Sequence, residues 1–315
     1  MCAAKKSAGR EPSDRNGDGG QPAAAVRVDR CRDCGFCHGV RRAVGRAESL
    51  AAAGWNVFVD GELVHNGTVG KTLEKKNVVT WDGFDRRWGP RDCILIRAHG
   101  IGPERRSWLR GLGCRVFDAT CPDVGRSAGF ILRLRRRGYF LIFFGEENHP
   151  ETAGLLAHGG KDIFPCKSAD ELAKITIQEG RPVAILAQTT AGIDTFNAFA
   201  SRVLEKIPRA EVVPTICSST RRRQEELLRR LETGSYDCAV IVGGHHSSNA
   251  RNLSRLAASM AVPTAHVETA AELQGMELSK FSRILLASGA STPAVDVDAV
   301  ERLLLFRGGA AAGGA

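Results

Sequence analysis

Three cysteines, Cys37, Cys121 and Cys217, each stand just ahead of a stretch that reads as the start of a helix. In Arg115-Val116-Phe117-Asp118-Ala119-Thr120-Cys121-Pro122 a short apolar run reads as a buried strand that hands its cysteine to a loop. Pro122 has no N–H to satisfy and a φ suited to the first helical turn, so a helix is expected directly behind Cys121. Cys37 precedes a helical run from Val40, and the strand-like run 210–216 ends at Cys217 before Ser218-Ser219-Thr220. Three equivalent strand ends suggest one shared centre. Soft sulfur ligands favour iron–sulfur clusters or zinc, and three cysteines on a four-iron cluster leave one iron open to substrate. Free cysteine is also a common small core residue. That plainer role suits Cys93, Cys114, Cys166 and Cys238, which lie within or beside expected strands.

Cys31, Cys34 and Cys37 form C-x-x-C-x-x-C, part of the ferredoxin run, but the residue where a fourth cysteine would stand is Arg41. Half of a zinc site is the other reading, with no second C-x-x-C or His pair at the usual distance. Whether Cys31 and Cys34 are ligands stays open at this level.

Other strands are expected to stop at polar tips, and those tips suit a diphosphate. His65, His99 and His149, when protonated, can donate charge-assisted hydrogen bonds, and Ser247, Ser248, Asn249 and Ser291 can donate neutral ones near helix starts. Thr189 ends another strand. Glu151, two residues after His149, becomes a proton donor if burial raises its pKa. The competing role for Glu151 is a first-turn carboxylate complementing a helix dipole.

The elements that must position these groups alternate short apolar strands with amphipathic helices, the pattern of α/β layering. Helices are expected over 38–53, 68–76, from 122 to 137, from 150, over 221–231 and over 250–261. Strands are expected over 56–59, 78–80, 93–96, 139–144, 183–186, 239–242 and 284–286. The cysteines divide this into similar units, each near the lower end of domain size. The expected domains are 26–121, 122–216 and 217–305, with a polar, disordered extension over 1–25 and a flexible tail over 306–315. Ligands of open α/β sheets bind outside the carboxyl ends of strands, so three lobes are expected around one central site.

With 315 residues the chain can hold two or three domains of about 100 residues each. Ten cysteines are too few for a stapled secreted scaffold, and residues 1–25 carry no apolar leader segment, so a reducing, cytoplasmic setting is expected. No apolar run approaches the roughly 18 residues of a membrane span. The net charge of +9 suits an anionic substrate, an acidic protein partner or nucleic acid. Only two tyrosines are present, neither in a basic stretch, which argues against a stacking surface for single strands. Arg135-Arg136-Arg137 reads as a solvated helix end.

Taken together these residues resemble the 4-hydroxy-3-methylbut-2-enyl diphosphate reductase family, also called IspH or LytB. The resemblance runs from about Cys34 to Leu304. It is carried by Gly35-Phe36-Cys37-His38-Gly39-Val40, Gly61-Glu62-Leu63-Val64-His65-Asn66, Ala98-His99-Gly100, Phe117 to Pro122, His149-Pro150-Glu151, Gln188-Thr189-Thr190, Cys217 with Arg223-Gln224-Glu225, Ser247-Ser248-Asn249 and Gly289-Ala290-Ser291. It implies a trefoil of three α/β domains around a 4Fe-4S cluster held by Cys37, Cys121 and Cys217, one iron lacking a cysteine. It also implies diphosphate binding by the histidines, serines and Asn249, with Thr189 near the reacting alcohol and Glu151 in proton delivery. The implied reaction is reductive dehydroxylation of the hydroxylated allylic diphosphate to isopentenyl and dimethylallyl diphosphate in the non-mevalonate pathway. The chain departs from the family pattern at Ala128, Glu146, Arg221, Arg222 and Ala294.

No G-x-G-x-x-G loop marks a nicotinamide site, so electrons must come from outside, and a reduced ferredoxin or flavodoxin suits a basic surface. No nucleic-acid or membrane partner is expected. The alternatives are a diverged paralogue reducing another diphosphate, or a cluster-bearing or zinc-bearing regulator that uses Arg135 to Arg137 and Arg221 to Arg223 on nucleic acid.

Overall fold

A computed structural model describes residues 26–310. The expected extension over 1–25 and residues 311–315 of the expected tail lie outside the described residues. Three four-stranded sheets carry the chain, and every pairing in them is parallel.

The first sheet has the order β3-β2-β4-β5, with β2 at Asn56–Asp60, β3 at Val78–Trp81, β4 at Asp92–Ile96 and β5 at Arg115–Asp118. The second has β7-β6-β8-β9: Ile163–Cys166, Phe140–Phe144, Val183–Ala187 and Glu211–Val212. The third has β1-β12-β10-β11: Arg27–Arg30, Arg283–Ser288, Cys238–Val242 and Thr264–Val267. The strands β4, β8 and β10 are buried along their whole length. A strand buried on both faces reads as an unbroken apolar run rather than an alternation, which is how Cys93-Ile94-Leu95-Ile96 and Val183-Ala184-Ile185-Leu186-Ala187 read. Each sheet has an apolar cluster on either face. In the second, Ile142 and Ile185 pack to one side and Leu141 and Leu186 to the other.

Nine α-helices among the described residues cover these faces: α1 His38–Ala52, α2 Gly67–Glu74, α3 Pro103–Arg110, α4 Pro122–Arg136, α5 Pro150–Gly159, α6 Ile193–Lys206, α7 Ser218–Thr233, α8 Ser248–Ser259 and α9 Ala294–Ala310. Pro122 and Pro150 occupy the first helical position of α4 and α5, where the missing N–H costs nothing.

The structure differs from the sequence expectations in several places. Residues 27–30, read as the start of the first unit, form β1 and pair with β12 of the third sheet. The expected strand over 210–216 shrinks to the two residues of β9. Pro214 cannot donate to a ladder, and the pairing is taken over by a side chain: Ala187 N donates to Thr215 Oγ1, which donates back to Ala187 O, both at 2.7 Å. The strand β5 stops at Asp118, three residues before Cys121. The common placement of the three cysteines is therefore the helix start rather than the strand end. Residues 306–310, expected as tail, continue α9.

Candidate functional site

Cys37, Cys121 and Cys217 are the N-cap residues of α1, α4 and α7. A helix start presents unpaired N–H groups and a positive dipole end, which favours an anionic ligand atom. Cys37 Sγ accepts from Val40 N and Cys217 Sγ accepts from Thr220 N, each at 3.4 Å. The Cys121 thiol is pushed up to about 11 by burial, against the pull of the Asp123 and Val124 backbone N–H groups. Burial likewise raises Cys217, opposed by the Thr220 hydroxyl and N–H. The three thiols line one cavity.

All twelve sequence-predicted site residues line that cavity: the three cysteines, His65, His99, His149, Glu151, Thr189, Ser247, Ser248, Asn249 and Ser291. Gly39 decides how closely the lobes approach. A Cβ there would stand 2.5 Å from Cys121 Sγ and 3.9 Å from Cys37 Sγ, so the space beside two thiols from two lobes is kept by the absence of a side chain. Three soft donors from three helix starts, around a recess held open by glycine, fit an iron–sulfur cluster or another thiophilic metal.

The imidazoles form a second group. Ring centroids are 4.4 Å apart for His65 and His99, 5.1 Å for His65 and His149, and 5.4 Å for His99 and His149. His149 caps α5, its Nδ1 accepting from Glu151 N at 3.1 Å. The neutral ring therefore carries its proton on Nε2 and is a donor without being charged. His65 Nδ1 meets Glu62 Oε2 at 2.9 Å, leaving Nε2 buried and unpartnered, as is His99 Nδ1. Burial and the neighbouring imidazoles hold His99 well below the ordinary histidine range, and burial with His65 brings His149 down to about 4. The charge assigned to these rings from sequence is thus absent from His99 and His149 before a ligand binds. An arriving anion must bring the proton with it or accept neutral donors. The three rings could in principle chelate a metal, since their ligand atoms lie within 4.8 Å of one another. The lone pair that His149 already commits to Glu151 N leaves a proton, not a lone pair, on its other nitrogen.

Glu151 is 2% exposed. Thr189 N donates to its Oε1 at 2.7 Å and Thr189 Oγ1 donates to its Oε2 at 2.8 Å. Burial outweighs these two bonds and raises the carboxyl to about 7. A first-turn residue that only served the helix dipole would face water. This one faces the cavity.

The third lobe supplies the start of α8. Ser247 Oγ accepts from Ala250 N, Ser248 is buried at the first helical position, and Ser291 Oγ donates to His65 O at 3.0 Å, tying two lobes together. Asn249 Nδ2 is placed on Thr220 Oγ1 at 3.0 Å while its Oδ1 is buried without a partner. With Asn249 donating to it, the Thr220 hydroxyl keeps its one proton for Cys217 Sγ, 3.2 Å away, and the second Nδ2–H of Asn249 remains as a donor.

Cys31 and Cys34 do not line the cavity. Both pack in the apolar core of the third lobe, and burial pushes the Cys31 thiol up to about 12 and raises Cys34. Gly39, Thr190 and Thr220 also line the cavity; the sequence places them in the quoted motifs without a site role. Their signal is spacing: Gly39 and Thr220 stand two and three residues after a capping cysteine, on the first turn that faces the site.

The departures from the family pattern have structural settings. Glu146 pairs with Arg251 across the second and third lobes at 2.5 Å. Arg222 pairs with Asp33, Arg221 approaches Glu225, Ala128 joins the α4 core, and Ala294 packs on Gly35. Arg135, Arg136 and Arg137 are exposed at the end of α4, where Arg135 pairs with Asp162, whereas Arg223 is buried, so the run Arg221 to Arg223 does not form one outward-facing surface. No helix among the described residues is long and apolar enough to cross a membrane.

Comparison with known proteins agrees with this geometry. The family profile described as LytB protein matches residues 28–305. The chain is 36% identical over 279 residues to 4-hydroxy-3-methylbut-2-enyl diphosphate reductase of Opitutus terrae, covering 85% of this chain and 95% of that protein. To the reductase of the same name from Aquifex aeolicus it is 35% identical over 264 residues, covering 82% and 89%. Its fold is similar to the solved structure of E-1-hydroxy-2-methyl-but-2-enyl-4-diphosphate reductase from Plasmodium falciparum, with a TM-score of 0.83, 26% identity, and 89% and 88% of the two chains covered. A second solved structure, of (E)-4-hydroxy-3-methyl-but-2-enyl diphosphate reductase, gives a TM-score of 0.65 at 32% identity, covering 89% and 99%. With a family profile spanning most of its length and a cavity that collects the motifs of all three lobes, the chain belongs to the LytB family.

Proposed function

We propose that the protein is a 4-hydroxy-3-methylbut-2-enyl diphosphate reductase of the non-mevalonate pathway. It would convert the hydroxylated allylic diphosphate, two electrons and two protons into isopentenyl or dimethylallyl diphosphate and water. The observation that carries this reading is the meeting of three helix-capping cysteines, three histidines and a buried Thr189–Glu151 pair in one cavity.

Cys37, Cys121 and Cys217 would hold a 4Fe-4S cluster with one iron lacking a cysteine. When bound, that group supplies electrons singly and a Lewis-acidic position for the alcohol. The side chains do the rest. His149 offers an Nε2–H, and His65, its Nδ1 against Glu62, presents its unpartnered Nε2 beside it. Ser247, Ser248, Asn249 and the start of α8 complete a diphosphate subsite, with His99 and Ser291 closing its first-lobe side. Glu151, raised to about 7, holds a proton near neutral pH. Thr189 fixes its carboxyl through two hydrogen bonds and keeps the proton aimed at the departing hydroxyl. The second proton goes to either end of the allylic carbanion, which yields the two products.

The electron donor we propose is a reduced ferredoxin or flavodoxin of the cytoplasm, whose acidic surface matches the net charge of +9. The test is an anaerobic assay on protein reconstituted with iron and sulfide. Turnover of the hydroxylated diphosphate to both isomers is expected. Cluster-loaded protein that leaves this substrate untouched would contradict the assignment.

A further inference from the structure

We propose that Arg223 is the positioning residue of the cysteine centre. It ties the loop carrying Cys37 to the helix that starts at Cys217, and it places a fixed positive charge behind those ligands that raises the reduction potential of the cluster held there. This rests on the reading of the site given above.

Arg223 lies in α7 and is 6% exposed. Its guanidinium makes short bonds to two backbone carbonyls, Nη2 to Gly35 O at 2.7 Å and Nη1 to Ser288 O at 2.8 Å. Weaker contacts run from Nη1 to Ser288 Oγ and Gly289 O, both at 3.4 Å, and from Nε to Ser219 Oγ at 3.3 Å. One side chain thus joins three segments: the helix behind Cys217, the loop two residues before Cys37, and the exit of β12. That exit also holds the loop directly, through Gly35 N to Ser288 Oγ at 2.9 Å and Cys37 N to Ala290 O at 2.9 Å.

Every hydrogen-bond partner of this arginine is neutral. Asp33 is a carboxylate whose charge acts on it, and that carboxylate is engaged by Arg222 at 2.8 Å. The other groups whose charge acts on it are the thiols of Cys34, Cys37 and Cys217. Guanidinium stays protonated in proteins, so a buried one needs a counter-charge. Two of those three thiols are cluster ligands in this reading, and three thiolates around a cluster supply negative charge. Reduction potentials of such clusters follow net charge and nearby hydrogen bonding, and groups behind the ligands also orient them. A cation there favours the reduced, more negative state.

The test is a redox titration of anaerobically reconstituted full-length protein, followed by electron paramagnetic resonance, with iron content and thermal melting measured alongside. Arg223→Gln should load a cluster whose midpoint lies at a more negative potential than in the native protein, and Arg223→Lys should fall nearer the native value. A loaded Arg223→Gln protein with the native midpoint would overturn the proposal. If Arg223→Gln fails to load, Arg223→Lys decides: loading near the native potential supports the role of charge. If neither variant loads, an apo melt equal to that of native apo protein supports ligand positioning, whereas a collapsed melt overturns the proposal in favour of a structural role. Native protein without a reducible cluster would contradict the functional reading instead.

Discussion

In the proposed reaction Glu151 is the side chain on which the proton chemistry turns. An ordinary glutamate is ionised at neutral pH, but burial brings this one to about 7. Because the folded state holds the proton more tightly than the unfolded chain, the group favours folding least at high pH. Its contribution to stability is lost as pH rises from about 4.5 to about 7, by an amount on the order of 3 kcal/mol for such a shift, while His99 and His149, held low by burial, contribute with the opposite sign over a similar range. The stability difference between native protein and Glu151→Gln, from denaturant titrations at several pH values, should therefore shrink as pH rises through about 7. The same variant keeps shape and hydrogen bonding, so it should bind substrate and cluster yet turn over at least about 10²-fold more slowly, the loss expected for a general acid. It should also lack a fall in kcat/KM above pH 7. Near-native turnover would place the proton source elsewhere. His149→Phe removes both the α5 cap and the Nε2 donor, and should weaken diphosphate binding by roughly 1 to 3 kcal/mol in calorimetry. Unchanged affinity would remove His149 from the subsite.

Elements explain why much of this site was legible from sequence and why part was not. A helix start announced by Cys-Pro at 121–122 and by His-Pro at 149–150 follows from proline chemistry alone, and both helices begin there. Unbroken apolar runs gave the central strands. The edge strands β7 and β11 were invisible because they are short and half exposed, and β1 because its partner, β12, lies more than 250 residues away. Arg223 shows the limit most clearly: the run Arg221 to Arg223 reads as a basic surface for the nucleic-acid alternative, and only the packing of α7 turns Arg223 inward. The histidines were readable as tips, but their neutral state was not, since it depends on the three rings sharing one buried space. Gly39 gives the element-scale prediction. Gly39→Ala places a methyl group 2.5 Å from Cys121 Sγ and must push α1 away from α4. The variant should melt near the native apo protein, because each lobe keeps its own core, yet reconstitute with far less iron. Full iron loading would show that the close approach does not matter.

For the whole molecule, the arrangement divides labour among three lobes that each keep a separate two-faced core and bring their ligand-bearing ends to one cavity. Hydrogen bonds cross between them near the site: Ser291 Oγ donates to His65 O, Asn252 Nδ2 to Thr190 O and Gln224 Nε2 to Ala191 O. Arg251 pairs with Glu146 nearer the surface, where exposed ion pairs contribute about 0 to 1 kcal/mol. A cluster ligated once from each lobe would add a further tie, joining the lobes and leaving one iron for chemistry. Burial raises the thiols of Cys121 and Cys217, which must be deprotonated to bind, so loading releases protons and weakens toward acid pH.

The most direct test is Mössbauer spectroscopy of protein reconstituted anaerobically with iron and sulfide, recorded with and without the hydroxylated allylic diphosphate. Four irons are expected, one of them distinct from the three held by Cys37, Cys121 and Cys217, and that one should change when substrate is added. A colourless zinc protein, or four irons in equivalent thiolate sites that ignore the substrate, would contradict the account.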